Sequence, residues 1–237
     1  ITLRDTHSRE ELREMGVDRP RIILSADPTV ILPAAPAAVV DGVLERGGLD
    51  PEGRYIGFTL RPGPGLKEKA EIFAAAAEYA YRKHGLTPVF LPIESRLDLG
   101  AIRQVTEHIK TPYHVIEHTG GSAHTIGLFA RMKVVVSMRL HALVFAASQG
   151  VPLVGVVYDQ KISSFLDYIG QDLYTDLDAL TLEKLQAQMD AACAGMEDRA
   201  FRNEGVDPLR RVEHRNSETA ALLLGLDGPG TRGGDRA

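Results

Sequence analysis

The chain has a single cysteine, no tryptophan and only 6% aromatic residues. Cys193 alone excludes an internal disulfide and a multi-cysteine metal site, and it is compatible with a reducing compartment. There is no excess of basic residues: 27 Lys and Arg stand against 32 Asp and Glu, for a net charge of −5. A general attraction to nucleic acid is therefore excluded, and any basic site must be local. No apolar run approaches the roughly 18 residues of a membrane span, and the N-terminus has no signal-peptide pattern. There is no P-loop, no Gly-x-Ser-x-Gly and no His/Asp/Glu cluster with metal-ligand spacing, so nothing calls for a metal or a cofactor. There is no internal repeat. There is also no initiating Met: the sequence opens at Ile1 inside a polar motif, which reads as a fragment with something missing upstream.

What is present is an ordinary globular mix, 44% hydrophobic and 25% charged over 237 residues, enough for one large domain or two small ones. Thr2 to Gly16 reads as a short helix with Ser8 as N-cap, and Arg21 to Ser25 as a short strand ended by Asp27-Pro28. Pro33 to Gly53 reads as a connector with one helical piece. From there strands and helices alternate: strands at 55–60, 87–91, 113–117, 133–137 and 153–157, and helices at 67–84, 97–109, 122–131, 139–149 and 161–169. Gly85, Gly150 and Gly170 close three of the helices. Two later helices, 182–196 and 207–224, precede a Gly-, Arg- and Asp-rich tail that reads as disordered. Strands alternating with helices of 10–15 residues predict βαβ units and a parallel sheet. The continuously apolar strands VVV and LVGVV predict burial on both faces. The fold class is thus α/β, a Rossmann-like parallel sheet with helices on both faces.

The stretch Ser137 to Tyr168, SMRLHALVFAASQGVPLVGVVYDQKISSFLDY, places Arg139 and His141 where a strand gives way to a helix. It places Lys161 where the next strand does the same. In an open parallel sheet these points share the carboxyl edge, where ligands bind. A helix start favours an anion, a guanidinium grips a carboxylate or phosphate, and an imidazole donates or moves protons near neutral pH. Three donors converging there suit a small, highly charged anion. The ordinary reading pairs Arg139 with an acidic neighbour and leaves His141 as a satisfied packing residue; position and the Lys161 partner favour function. Arg61 ends another strand before a Pro/Gly loop and is either a cleft residue or a surface arginine. Gly120-Gly121-Ser122 before a helix is either a phosphate cradle or an ordinary loop, with His118 and His124 flanking it. Arg210, Arg211 and Arg215 read as a solvated helix face.

At these residues the sequence resembles the polysaccharide pyruvyl transferase family. The block from Ser137 to Gly170 follows its Ser/Thr-x-Arg-Leu-His, Gly-Val-Pro, Tyr-Asp-x-Lys and Phe-Leu pattern, with Gln160 where many relatives carry Pro. LRDTHSREELREMGV, DPTVIL, GFTLRP and FLPIESRLD resemble further segments, so the likeness touches most of residues 1–170. The best subfamily match pyruvylates a secondary cell-wall polymer in bacteria with S-layers. The resemblance implies the C-terminal domain of a GT-B type enzyme over 21–224, an interdomain segment over 1–20, a disordered tail over 225–237 and a missing N-terminal domain. It implies transfer of pyruvate from phosphoenolpyruvate to a sugar or lipid-linked glycan, forming a ketal and releasing phosphate, in the cytoplasm, with the inner face of the membrane as one place for it. A chain lacking the N-terminal domain is expected to be inactive alone. Arg139, His141 and Lys161 match positions tied to donor binding and catalysis. Arg4 matches a family arginine, and Arg61, Ser137, His118, Gly120, Gly121 and Ser122 are further substrate-binding candidates. Two other readings stay open: a nucleotide-sugar-dependent GT-B glycosyltransferase or epimerase, and a noncatalytic anion-binding domain. Against the first, the helix after Arg139 carries no carboxylate for ribose hydroxyls.

Overall fold

The computed structural model describes residues 1–197 and 205–226. Its centre is a six-stranded, all-parallel sheet of order β5-β4-β3-β6-β7-β8. The strands are β3 (Tyr55–Thr59), β4 (Thr87–Phe90), β5 (His114–Val115), β6 (Met132–Ser137), β7 (Leu153–Val157) and β8 (Tyr174–Asp176). A separate two-stranded parallel pair joins β1 (Thr2–Leu3) to β2 (Ile23–Leu24).

Alternation along the strands divides the core into two layers, because successive side chains point to opposite faces. Tyr55, Val135, Leu153 and Val157 pack on one face with α2 (Ala37–Arg46), α5 (Ser122–Ala130), α6 (Leu140–Ser148), α7 (Gln160–Tyr168) and α9 (Asp207–Glu213). Ile56, Phe58, Val134, Val136, Val154 and Val156 pack on the other with α3 (Leu66–His84), α4 (Ser95–Thr106) and α8 (Leu182–Ala194). Each fully buried Leu, Ile or Phe contributes about 1.5–3 kcal/mol. The apolar run Val134 to Val136 of β6 and the whole of β7 are buried on both faces, as expected. Gly155 in β7 lets α7 approach closely, since a Cβ there would run into Leu166.

Three local readings are corrected. The first helix is α1 (Thr6–Glu14), and its N-cap is Asp5, which accepts the Ser8 N–H at 2.7 Å; Thr2–Leu3 is extended instead, paired with β2. Strand β8 was not foreseen: it is three residues long and only half-buried, too short for an apolar pattern. The last helix is two, α9 and α10 (Arg215–Leu223), broken at His214. Leu209 of α9 is buried, whereas α10 buries none of its residues and exposes Leu222, Leu223 and Leu224. Of the tail expected to be disordered, residues 227–237 lie outside the described residues.

The chain runs from β3 outward to β4 and β5, then returns to the other side of β3 for β6, β7 and β8. The direction of strand order therefore reverses between β3 and β6. Ligands of open α/β sheets bind at such a switch point, outside the carboxyl ends. Arg61 follows β3 there, and Arg139 follows β6.

Candidate functional site

Ser137 ends β6 and is buried. Its hydroxyl bonds Thr59 across the sheet, donates to the Arg139 carbonyl at 2.9 Å and receives the Arg139 N–H at 2.8 Å. Ser137 thus shapes the turn and lines neither of the hollows described below. That turn sets Arg139 in extended conformation as the N-cap of α6. The guanidinium does not stand free at the edge. Its Nη2 donates to Asp98 of α4, whose side chain is fully buried. The second oxygen of Asp98 accepts the N–H groups of Ile93 and Glu94 at 3.0 and 2.9 Å. Nε of Arg139 is buried without a partner among the described residues.

Helix α6 is buried at every residue except His141, and apolar but for His141 and Ser148. His141 sits in the first turn, half-exposed and stacked on Phe145 with centroids 6.3 Å apart. Its Nε2 is 3.7 Å from Asp27 Oδ2, an ion-pair approach rather than a hydrogen bond. The same Asp27 oxygen accepts from Arg4 Nη1 at 3.1 Å. The other takes the backbone N–H and hydroxyl of Thr29 at 3.0 and 2.7 Å, capping a 3₁₀ turn over Pro28–Ile31. Burial pushes the Asp27 carboxyl up, but His141 and Thr29 outweigh it and hold it well below the usual carboxylate range.

Lys161 enters α7 behind Asp159, which caps that helix by accepting the Lys161 N–H at 3.1 Å and also pairs its Nζ at 2.9 Å. The ammonium holds the Asp159 carboxyl below its ordinary value. Arg61 and Lys161 both lie over the ring of Tyr158, at 4.4 and 5.6 Å from its centroid. Arg61 makes no ion pair among the described residues.

Two open hollows lie on this edge. The β8-side hollow, about 700 Å³, is lined by Arg61, the Pro62 to Pro64 loop, Tyr158, Asp159, Gln160, Ser163, Asp176 and Asp178. The β5-side hollow, about 530 Å³, is lined by Thr29, Ile93, Ser95, His118, Thr119, Gly120, Ser122, Thr125, His141 and Phe145. Elsewhere on the edge, Arg4, Asp27 and Lys161 line a cleft of about 20 Å³. Gly121 lies outside the β5-side lining: its N–H is donated to His124 Nδ1 at 3.2 Å, so it is not free to cradle an anion. Gly120 has φ +86° with the His124 ring against its α-carbon, which only glycine accommodates.

The edge therefore carries the predicted cations, but three of them are each matched by a carboxylate: Arg139 by Asp98, His141 by Asp27, Lys161 by Asp159. Sequence reasoning gave these aspartates no role. The signal was present in DPTVIL, in FLPIESRLD and in the Asp two residues before Lys161.

The family model for polysaccharide pyruvyl transferase matches residues 1–160. Among curated proteins, none matches. Solved structures share the fold. UDP-GlcNAc 2-epimerase from Neisseria meningitidis superposes at TM-score 0.63 and 10% identity, covering 93% of this chain and 60% of its own. A glycosyltransferase from Rickettsia africae superposes at 0.61 and 11% identity, covering 94% and 63%. UDP-GlcNAc 2-epimerase from Methanocaldococcus jannaschii gives 0.59 and 11% identity, covering 93% and 60%. The chain spans about 60% of the length of the structures it matches.

Proposed function

The chain belongs to the polysaccharide pyruvyl transferase family, and from that premise we propose that it serves transfer of a pyruvyl group from phosphoenolpyruvate to a sugar of a cell-surface polysaccharide. A bacterial cell-wall polymer is the acceptor class we favour. The observation that carries the donor half is the meeting of Arg61 and Lys161 over Tyr158, beside an open hollow at the ends of β3 and β7. Phosphoenolpyruvate packs a carboxylate and a phosphate onto three carbons, and two closely placed cations at a sheet switch point suit it.

The ketal requires two sugar hydroxyls. Each forms a C–O bond to C2 of the donor, and the C2–O bond to phosphate breaks. The two hydroxyl protons go one to C3, which becomes the methyl group, and one to the departing phosphate. In this reading His141 takes a proton from a hydroxyl or delivers one to the enol carbon. Arg61 and Lys161 offset charge on the leaving phosphate. The β5-side hollow, into which His141 opens, has no Asp, Glu, Lys or Arg in its lining and four hydroxyls besides Thr29, which suits a neutral sugar.

The test is release of inorganic phosphate from phosphoenolpyruvate by the full-length protein, with and without acceptor glycan, beside a parallel incubation with a UDP-sugar. Acceptor-dependent phosphate release supports the reading. Release of UDP instead transfers the chain to the nucleotide-sugar enzymes, and binding without turnover makes it an anion-binding module.

A further inference from the structure

We propose that Asp27 is the positioning residue of His141: it holds Nε2 of the ring through its carboxylate, leaving Nδ1 as the nitrogen that moves protons. The inference rests on the pyruvyl-transfer reading for its kinetic part, but its geometric part stands apart from it.

Several observations meet at this carboxylate. His141 is the one residue of α6 that is not buried, on a helix whose other residues are all packed. Its ring is fixed on one side by Phe145, so the imidazole plane is set by the core. Its Nε2 faces Asp27 Oδ2 at 3.7 Å, and Nδ1 has no hydrogen-bond partner among the described residues. Asp27 is itself immobilised. Its other oxygen is spent on the Thr29 N–H and hydroxyl, and its side chain is only 12% exposed. A carboxylate clamped in this way can select a histidine tautomer, because the neutral ring must carry its proton on the nitrogen that faces the negative charge.

The charged and titratable groups facing His141 are few. Asp27 comes from the segment after β2, and Arg4 from the end of β1 reaches the same Asp27 oxygen at 3.1 Å. His118 lines the same hollow from the segment after β5. Arg4 keeps Asp27 partly neutralised when the ring is uncharged. When the ring gains a proton, Asp27 faces two cations and gains a second ion pair. The contact is longer than a hydrogen bond, and such contacts commonly tighten once substrate is bound. Asp27 stays ionised at any working pH, since its carboxyl is held well below the usual range; its role is orientation and charge, not proton donation.

The experiment compares the full-length protein with D27N, D27E, H141Q and D27N/H141Q. Steady-state phosphate release should show D27N lowering kcat by about 10- to 100-fold, part of what an acid–base group supplies, with the KM for phosphoenolpyruvate changed less than about two-fold. D27E should recover part of the rate. On the H141Q background D27N should cost nothing further, because the two residues act as a unit. A merely structural Asp27 would instead lower the rate by the same factor in both backgrounds, and that result overturns the proposal.

A second readout needs no activity. Nitrogen-15 spectra of the histidine rings, with His141 assigned by its loss in H141Q, should show the Nε2–H tautomer in the parent and its loss in D27N. An unchanged His141 tautomer in folded D27N overturns the proposal. Absence of phosphate release by the parent protein would overturn pyruvyl transfer while the tautomer measurement still decides on Asp27.

Discussion

The β8-side and β5-side hollows open on the same edge of one sheet, yet arginine and aspartate side chains line only the first. The β8-side lining has Arg61, Asp159, Asp176 and Asp178 around Tyr158. The β5-side lining has hydroxyls, two histidines and two apolar side chains. The difference follows from which elements close each hollow. Residues just beyond β3, β7 and β8 are turn residues that carry charge, whereas the β5-side wall is made by the start of α5, the apolar α6 and the 3₁₀ turn after Asp27. Arg139 belongs to neither lining: its guanidinium is turned into the β4 end by Asp98. Under the proposed function the comparison separates two tasks, holding the donor on one side and moving protons near the sugar on the other.

The comparison breaks most sharply at His141. If His141 is the proton-transfer group of the proposed function, His141→Ala should lower kcat by about 10²- to 10⁴-fold, leaving the KM for phosphoenolpyruvate nearly unchanged. Steady-state kinetics at saturating acceptor decide it. Near-normal turnover with a raised KM would make His141 one more phosphate ligand and would erase the division of labour.

Next in size is the Arg139–Asp98 pair. Asp98→Ala leaves the largely buried Arg139 guanidinium without its counter-charge and strips the Ile93 and Glu94 N–H groups of their acceptor. Losing one partner of a buried pair costs about 3–5 kcal/mol, read by denaturant unfolding. Arg139→Ala should cost a similar amount, and the double variant less than the sum, because each single change strands the other charge. If Arg139→Ala leaves stability untouched and only weakens donor binding, the guanidinium faces the ligand and belongs to the charged hollow after all.

The sequence made the βα rhythm legible because its strands are short apolar runs and its helices end on glycines; β7 is 153–157 in both the reading and the structure. Strand β8 escaped because three half-buried residues carry no periodic signal. For the site, strand-end position alone brought Arg61, Arg139, His141 and Lys161 to one edge. The pairing of Arg139 was visible as an ordinary alternative, but Asp98 is 41 residues away on another helix, and nothing local marks it as buried. Asp27 likewise reaches His141 only through tertiary packing of the 3₁₀ turn on α6. The sequence shows which charges sit at strand ends; which of them are already satisfied is a property of the packed structure.

Arg61 is the cation of the group without an ion-pair partner among the described residues, so its removal tests the charged side most cleanly. Arg61→Ala should raise the KM for phosphoenolpyruvate by roughly 10- to 100-fold, the equivalent of about 1.5–3 kcal/mol for a charge-assisted contact, with kcat and the KM for acceptor little altered. A rise in the acceptor KM instead would assign the β8-side hollow to the sugar.

The smallest expected effect has the opposite sign. Asp159 sits in the charged lining and holds Lys161 at 2.9 Å, with both side chains more than a third exposed. Asp159→Asn removes the negative charge but keeps a residue of equal N-capping ability before α7. An exposed pair of this kind contributes about 0–1 kcal/mol, so unfolding should shift little. The lining, however, loses the carboxylate that competes with an anionic donor for Lys161 and Arg61. The KM for phosphoenolpyruvate should therefore fall by a small factor in low salt. The gain should fade as ionic strength rises and screening shortens the reach of both cations to about 8–10 Å. A salt-independent rise in KM for Asp159→Asn would show that the carboxylate positions Lys161 rather than competing for it.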